Sequence, residues 1–180
     1  IRDIGATGVQ TCALPISPPP LRPGDRVHLV AASSALDSAD RLRAGLQVLR
    51  GWGLEVEEPP SLVGRRWGYL AGDDAERGAD LARLGPQGQR AALLACVRGG
   101  WGAARLLPEP SSPPPPWLDP EPSAPWLLGF SDVTSLLWAR WARGWSGGVH
   151  GPLLTTLASE PSWSQERLRD LLFGRGVAPL

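Results

Sequence analysis

The sequence predicts a three-layer α/β fold with a mainly parallel sheet, and three observations carry that reading. The chain opens on a β-α-β rhythm: the apolar run RVHLVA at 26–31, a helix-period segment, then the short alternating LEVE at 54–57. That order favours parallel strands covered by helices. Residues 91–97, AALLACV, are apolar almost throughout, as suits a central strand buried on both faces. Two glycine-bearing corners, at 98–102 and 129–132, follow apolar runs, the carboxyl-end position at which open α/β sheets bind their ligands.

Each element has its own signal. The first strand follows the turn-forming Pro23, Gly24 and Asp25. Leu42, Leu46 and Leu49 recur at i, i+4 and i+7 within 37–52, which puts them on one helical face, and Gly51 and Gly53 end the pattern. Asp73 stands three residues before Glu76, a capping-box start for a helix expected to pass Leu81 and Leu84 and to stop at Gly85. Residues 108–125 hold nine prolines in eighteen positions, too many for a sheet or a helix interior, so an exposed loop with few core contacts is expected. The apolar 126–128 leads into the second corner, and 133–145 reads as a helix. Its Trp138, Trp141 and Trp145 fall at i, i+3 and i+7 and are expected to pack in the core or against a further domain. In a last helix over 164–173, Leu168, Leu171 and Leu172 share a face before Gly174.

Composition bounds the function. With 42% hydrophobic and 20% charged residues over 180 positions, the chain has the make-up of one soluble globular domain. A net charge of zero leaves no basic surplus for a phosphate backbone. No apolar run approaches the roughly 18 residues that span a bilayer, and no secretory signal is visible. Neither nucleic acid nor membrane is therefore an expected partner, and a cytoplasmic location is expected. Cys12 and Cys96 suggest no disulfide framework, and no metal site or cofactor follows from the residues. Residues 1–17 are expected to be a non-native leader, because GVQTCALPI at 8–16 resembles the translation of a sequencing adapter; the domain is placed at 18–180.

The corners carry the chemistry. A serine at a sharp turn between strand and helix is the geometry of a nucleophile elbow, where the hydroxyl stands clear of the sheet and helix N–H groups favour negative charge. Ser131 fits, although GFSD lacks the second glycine of G-x-S-x-G and serine is also among the best helix N-caps. Glycines at the other corner would let backbone amides approach a substrate carbonyl and stabilise an oxyanion. The rival reading of 100–105 as a dinucleotide loop is weak, since Arg105 occupies the third glycine position.

Five blocks in register add what local patterns cannot supply: Leu21 to Asp25 (LRPGD); Gly68 to Gly72 (GYLAG) with Glu76, Arg77, Asp80 and Leu81; Arg98 to Gly102 (RGGWG); Gly129 to Thr134 (GFSDVT); and His150 to Pro152 (HGP). In order and spacing, over about 130 residues, they resemble the LD-carboxypeptidase family, serine peptidases that include murein tetrapeptide carboxypeptidases and the microcin C self-immunity peptidase.

The resemblance implies an N-terminal domain similar to class I glutamine amidotransferases, with flavodoxin-like topology. Ser131 would be the nucleophile, and the backbone N–H groups of Gly100 and Asp132 the oxyanion hole. Gly99 and Trp101 are candidate substrate-pocket residues. It implies release of a terminal D-amino acid, D-alanine, from a muropeptide in cell-wall recycling, with no metal and no cofactor. The base histidine and its orienting glutamate would come from a C-terminal domain beyond Leu180, so this chain alone is expected to be inactive. The resemblance leaves room for a homodimer of the whole protein. A microcin-immunity-like amide hydrolase and a non-catalytic flavodoxin-like binding module are the alternatives. Two departures stand out: Trp101 replaces the more common tyrosine, and Ala32 replaces a frequent proline before the Ser33-Ser34 pair. The proline-rich loop also takes the place of a stretch that normally supplies a lysine. His150, in the family's structural HGP block, is not expected to be the base, and His28 is expected to be a packed or edge histidine.

Overall fold

Strand β1, Arg26–Val30, lies second from the edge of a sheet whose neighbours are all parallel. The computed structural model describes residues 17–56, 58–59, 62–81, 90–109, 111–119, 121 and 123–177. The other strands are β2 (Glu55–Val56), β3 (Leu93–Cys96), β4 (Trp126–Gly129) and β5 (Gly148–His150), in the spatial order β2-β1-β3-β4-β5. This is the flavodoxin-like order, in which the chain changes direction of winding between β1 and β3 and opens a crevice at their carboxyl ends. The helices are α1 (Asp40–Gly51), α2 (Asp74–Ala79), α3 (Thr134–Trp141), α4 (Leu154–Leu157) and α5 (Ser162–Leu172).

Strand alternation builds two apolar layers. Val27, Leu29, Leu93, Ala95, Leu128 and Val149 face α1, α4 and α5, which contribute Leu42, Leu46, Leu49, Leu154, Leu157, Leu168 and Leu172. Val30, Leu94, Cys96 and Leu127 face the opposite layer, which holds Leu136 and Leu137 of α3, Ala103 and Leu81. The three leucines read from the α1 periodicity are fully buried, and burying a leucine contributes about 2 kcal/mol. The expected three-layer arrangement is thus present, with β3 buried at every position.

α1 and α4 come unusually close. A Cβ added at Gly45 would lie 2.0 Å from the Leu154 carbonyl oxygen, a backbone atom that cannot swing aside. In an ordinary helix interior, glycine to alanine stabilises by about 1 kcal/mol; here the clash outweighs that gain. Gly45→Ala is expected to destabilise the fold by about 2 kcal/mol, read as a lower urea midpoint with unchanged slope. A higher midpoint would show that α1 can move off α4 at little cost.

Several expectations need adjustment. α1 begins at Asp40, where the Asp40 N–H donates to Ser38 Oγ at 3.1 Å. The Asp73 capping box forms as expected, with Glu76 N–H on the Asp73 carboxylate at 2.8 Å and Asp73 N–H on the Glu76 carboxylate at 2.9 Å. That helix ends at Ala79; Leu84 and Gly85 lie outside the described residues, as do Glu57 and residues 1–16 of the leader. The helix read at 133–145 stops at Trp141.

The proline-rich segment is a correction. Among its described residues a 3-10 turn at Pro116–Leu118 buries Trp117 and Leu118, and Ala124 is buried as well. Prolines exclude regular hydrogen bonding, not burial, and an aromatic beside a leucine gains more from the core than from water. The tryptophan expectation also splits: Trp145 is buried with the Arg140 guanidinium 3.4 Å from its ring centroid, whereas Trp138 and Trp141 are exposed and touch edge to face.

Candidate active site

The crevice is built from three strand ends. β1 runs on through Ala31 and Ala32 into Ser33 and Ser34, β3 into Gly99 and Gly100, and β4 into Phe130 and Ser131. Among the described residues Ser131 is the one non-glycine with positive φ, at 64°. A side chain in that region costs roughly 1–3 kcal/mol, and such strain clusters at functional turns. Ser131 opens a 3-10 turn, Ser131–Val133, that runs directly into α3. Only Phe130 separates the strand from the strained serine, and the serine leads straight into the helix, as in a nucleophile elbow.

Ser131 and the first glycine corner meet. A Cβ placed on Gly99 would lie 2.9 Å from Ser131 Cβ and 3.0 Å from its Oγ, so only glycine lets the elbow approach this closely. Among the described residues the Ser131 hydroxyl makes no hydrogen bond. The Gly99 carbonyl is held from the other side: it accepts the Ser34 hydroxyl at 2.5 Å and the Ser34 N–H at 3.3 Å. Because a peptide is planar and trans, the Gly100 N–H must point opposite to that anchored carbonyl. It makes no hydrogen bond among the described residues. Gly100 itself has φ 117°, and the side a Cβ would take is crowded by the Tyr69 hydroxyl and Ser34.

Asp132 adds something its backbone role did not foretell. One oxygen of its carboxylate accepts both the Ser33 hydroxyl, at 2.7 Å, and the Ala103 N–H, at 2.8 Å. Its own N–H lies in the first turn of the elbow helix, where amides lack intrahelical acceptors. Trp101 is exposed at the rim, with Tyr69 and Trp67 also exposed, and Arg105 stacks over Trp67 at 5.9 Å.

The loop over β1 and β3 is fixed by arginines. Arg77, fully buried, donates to the carbonyls of Ala32 and Gly102 and pairs with Asp74, which also binds Arg105 at 2.6 Å. The Arg105 hydrogen bond, seconded by Arg77, holds the Asp74 carboxyl below its ordinary pKa. Its contribution to stability is present above the ordinary carboxylate pKa and is lost as pH falls through the lowered one. Arg65 pairs with Asp80 at 2.5 Å, and Asp80 in turn accepts the Ala31 N–H at 3.0 Å. The arginine contacts were not legible in the sequence, where Arg77 and Asp80 stood only as part of a family motif and Glu76 as the partner of the Asp73 capping box.

The histidines stand elsewhere. His150 is exposed on β5 opposite Gly129, edge-on to Phe130 with centroids 6.2 Å apart, and makes no hydrogen bond to Ser131. His28 is half-buried in β1, in register with Leu94. Burial raises the pKa of the Cys96 thiol well above its ordinary value, so it packs as an apolar group. Among the described residues no three or more His, Cys, Asp or Glu gather as for a metal ion, and no helix is long and apolar enough to cross a membrane. A cavity of about 750 Å³ lies away from Ser131, walled by Asp74, Arg105, Arg90, Trp117 and Glu121 among others.

A parallel α/β sheet with a strained serine at one strand end, set against a glycine corner at the next, defines an elbow-bearing α/β domain of the kind that hosts acyl-transfer chemistry. The family model for the LD-carboxypeptidase N-terminal domain matches residues 27–151, and the chain belongs to that family of serine-type carboxypeptidases. It is 43% identical over 166 residues to a carboxypeptidase-named protein of Synechocystis sp., covering 92% of this chain and 52% of that one. It is 35% identical over 161 residues to the murein tetrapeptide carboxypeptidase of Pseudomonas aeruginosa, covering 81% of this chain and 46% of that one. The solved microcin C7 self-immunity protein MccF has the same fold, with TM-score 0.68 at 21% identity, over 88% of this chain and 47% of that one. This chain spans about half the length of the curated relatives it matches.

Proposed function

We propose that this chain is the nucleophile-bearing half of a serine-type LD-carboxypeptidase that releases terminal D-alanine from cytoplasmic muropeptides in cell-wall recycling. The observation that carries the proposal is the juxtaposition at the crevice: the strained Ser131, its hydroxyl without a protein partner among the described residues, lies against Gly99 beside an amide, Gly100 N–H, that is also without one. Ser131 Oγ attacks the carbonyl carbon of the last peptide bond, its proton passing to a base. The Gly100 and Asp132 N–H groups take the oxyanion. Collapse breaks the C–N bond, the base returns the proton to the departing amine of D-alanine, and water then hydrolyses the serine ester by the same route reversed. Gly99 and the rim Trp101 border the acyl and leaving groups.

The family resemblance implies that the proton acceptor is a histidine, oriented by a glutamate, from a second half, and neither His28 nor His150 makes a hydrogen bond to Ser131. The isolated 180-residue chain is therefore expected to release D-alanine from an L,D-tetrapeptide at the background rate, with Ser131→Ala giving the same value. A protein carrying both halves is expected to turn the peptide over, as followed by mass spectrometry. Cleavage only of an acyl-sulfamoyl adenylate would favour a microcin-immunity type of activity, and turnover of neither would favour a binding module. Serine-dependent release by the chain alone would place the base within it, with His150 the first residue to mutate.

A further inference from the structure

Two charged side chains of opposite sign grip the same pair of peptide segments. Arg77 donates one guanidinium nitrogen to the carbonyls of both Ala32 and Gly102. One residue further on in each segment, a single oxygen of Asp132 accepts the Ser33 hydroxyl and the Ala103 N–H. Ala32-Ser33 leads into Ser34, the residue that anchors the Gly99 carbonyl. Gly102-Ala103 is the exit of the same glycine corner, where Gly102 sits at φ 112° and opens the 3-10 turn Ala103–Leu106. A Cβ at Gly102 would fall 2.4 Å from a Leu70 methyl and 3.3 Å from the Arg77 guanidinium, so the segment is packed onto the arginine without slack.

We propose that Arg77 and the Asp132 carboxylate are positioning residues that together set the oxyanion corner, Arg77 through two carbonyls and Asp132 through two donors. The proposal rests on the reading of Ser131 and Gly100 given above. Burying a guanidinium is costly unless its donors are used, and removal of one partner leaves the others unsatisfied. Arg77 meets most of this with two backbone carbonyls and the Asp74 carboxylate, its Nε being left without an acceptor among the described residues. A surface arginine could serve Asp74 alone; full burial at the base of the corner goes with fixing the backbone. Asp132 also belongs to the elbow, so Ser131 and the corner are tied by one side chain. That link makes the distance between nucleophile and oxyanion donor independent of loop motion.

The test uses a protein carrying both halves, with Arg77→Met, Arg77→Lys, Asp132→Ala, Asp132→Asn and Ser131→Ala compared on an L,D-tetrapeptide. A displacement of about 1 Å at a reacting centre lowers rate by about 10²-fold. Arg77→Met and Asp132→Ala are expected to lose about that much in kcat with KM within about twofold, because the lesion falls on transition-state stabilisation. Asp132→Asn retains an oxygen that can accept both donors, and Arg77→Lys retains a cation able to reach the carbonyls; both are expected to recover much of kcat. Amide exchange over 99–104, which needs no turnover, is expected to quicken in Arg77→Met and Asp132→Ala, most of all at Ala103 in the latter. Unchanged kcat in folded variants, a loss confined to KM, or unchanged exchange would overturn the clamp. Wild-type turnover by Ser131→Ala would instead overturn the reading of the site, leaving exchange to decide the clamp by itself. If Arg77→Met does not fold, the comparison of Asp132→Ala with Asp132→Asn decides the same question.

Discussion

Ser131→Ala, in a protein carrying both halves, is expected to reduce D-alanine release by about 10³- to 10⁶-fold while leaving the melting temperature unchanged or slightly raised. The size follows from the chemistry: without the oxygen no ester forms, and what remains is the residual rate given by bound substrate and oxyanion donors, as when a triad member is removed elsewhere. The sign of the stability change follows from the backbone. Ser131 sits at φ 64° whether or not its hydroxyl is present, and that hydroxyl makes no hydrogen bond among the described residues that alanine would forfeit. Its strain is set by the strand and helix on either side. A loss of activity accompanied by a large drop in melting temperature would mean that Ser131 serves the fold, as a capping residue does.

The second large effect is expected at Gly100. A Cβ there would meet the Tyr69 hydroxyl at 2.5 Å and Ser34 Oγ at 2.7 Å. Tyr69 is exposed and can swing away, but Ser34 is buried and bound to the Gly99 carbonyl, so it cannot move without releasing that anchor. A left-handed φ of 117° adds backbone strain for any L side chain. The corner is therefore expected to shift in Gly100→Ala, turning its N–H away from the oxyanion position. Loss of one such donor costs about 10²- to 10³-fold in kcat. The measurement is kcat and KM for Gly100→Ala beside Gly64→Ala, whose glycine also has positive φ but faces open space. A purely conformational penalty would lower stability in both and rate in neither.

Local patterns made much of this fold legible. The leucine spacing of α1 and the unbroken apolar run of β3 each reflect a single physical demand, burial of one face or of two, and both elements are present. The Asp73–Glu76 capping box was equally readable, because both partners lie within one helical turn. Elements whose stability comes from elsewhere were not. β5 has three residues and α4 four, too short to show a period, and they form because Val149 packs on the sheet and Leu154 and Leu157 pack against α1. Trp117 and Leu118 were masked by the prolines around them.

The site divides in the same way. Glycines and a serine at strand ends advertise a crevice, so Gly99, Gly100 and Ser131 could be nominated from the sequence and are now found together. The contacts that hold them join residues far apart in the chain: Ser33 with Asp132, Ser34 with Gly99, Arg77 with Ala32 and Gly102. No spacing rule encodes such pairs. The available signal was the run from Gly68 to Leu81, in which Asp73 and Glu76 cap a helix but Arg77 and Asp80 have no such local reason and turn out to carry the supports of β1.

The most direct test of Ser131 as nucleophile is to map the covalent intermediate. A protein carrying both halves is mixed with saturating L,D-tetrapeptide, quenched in acid during turnover, and digested for peptide mass spectrometry. The expected result is the mass of the acyl tripeptide on Ser131 alone, absent when D-alanine-free tripeptide is supplied and absent from the Ser131→Ala protein. An acyl adduct on any other residue, or full turnover by Ser131→Ala, would contradict the assignment.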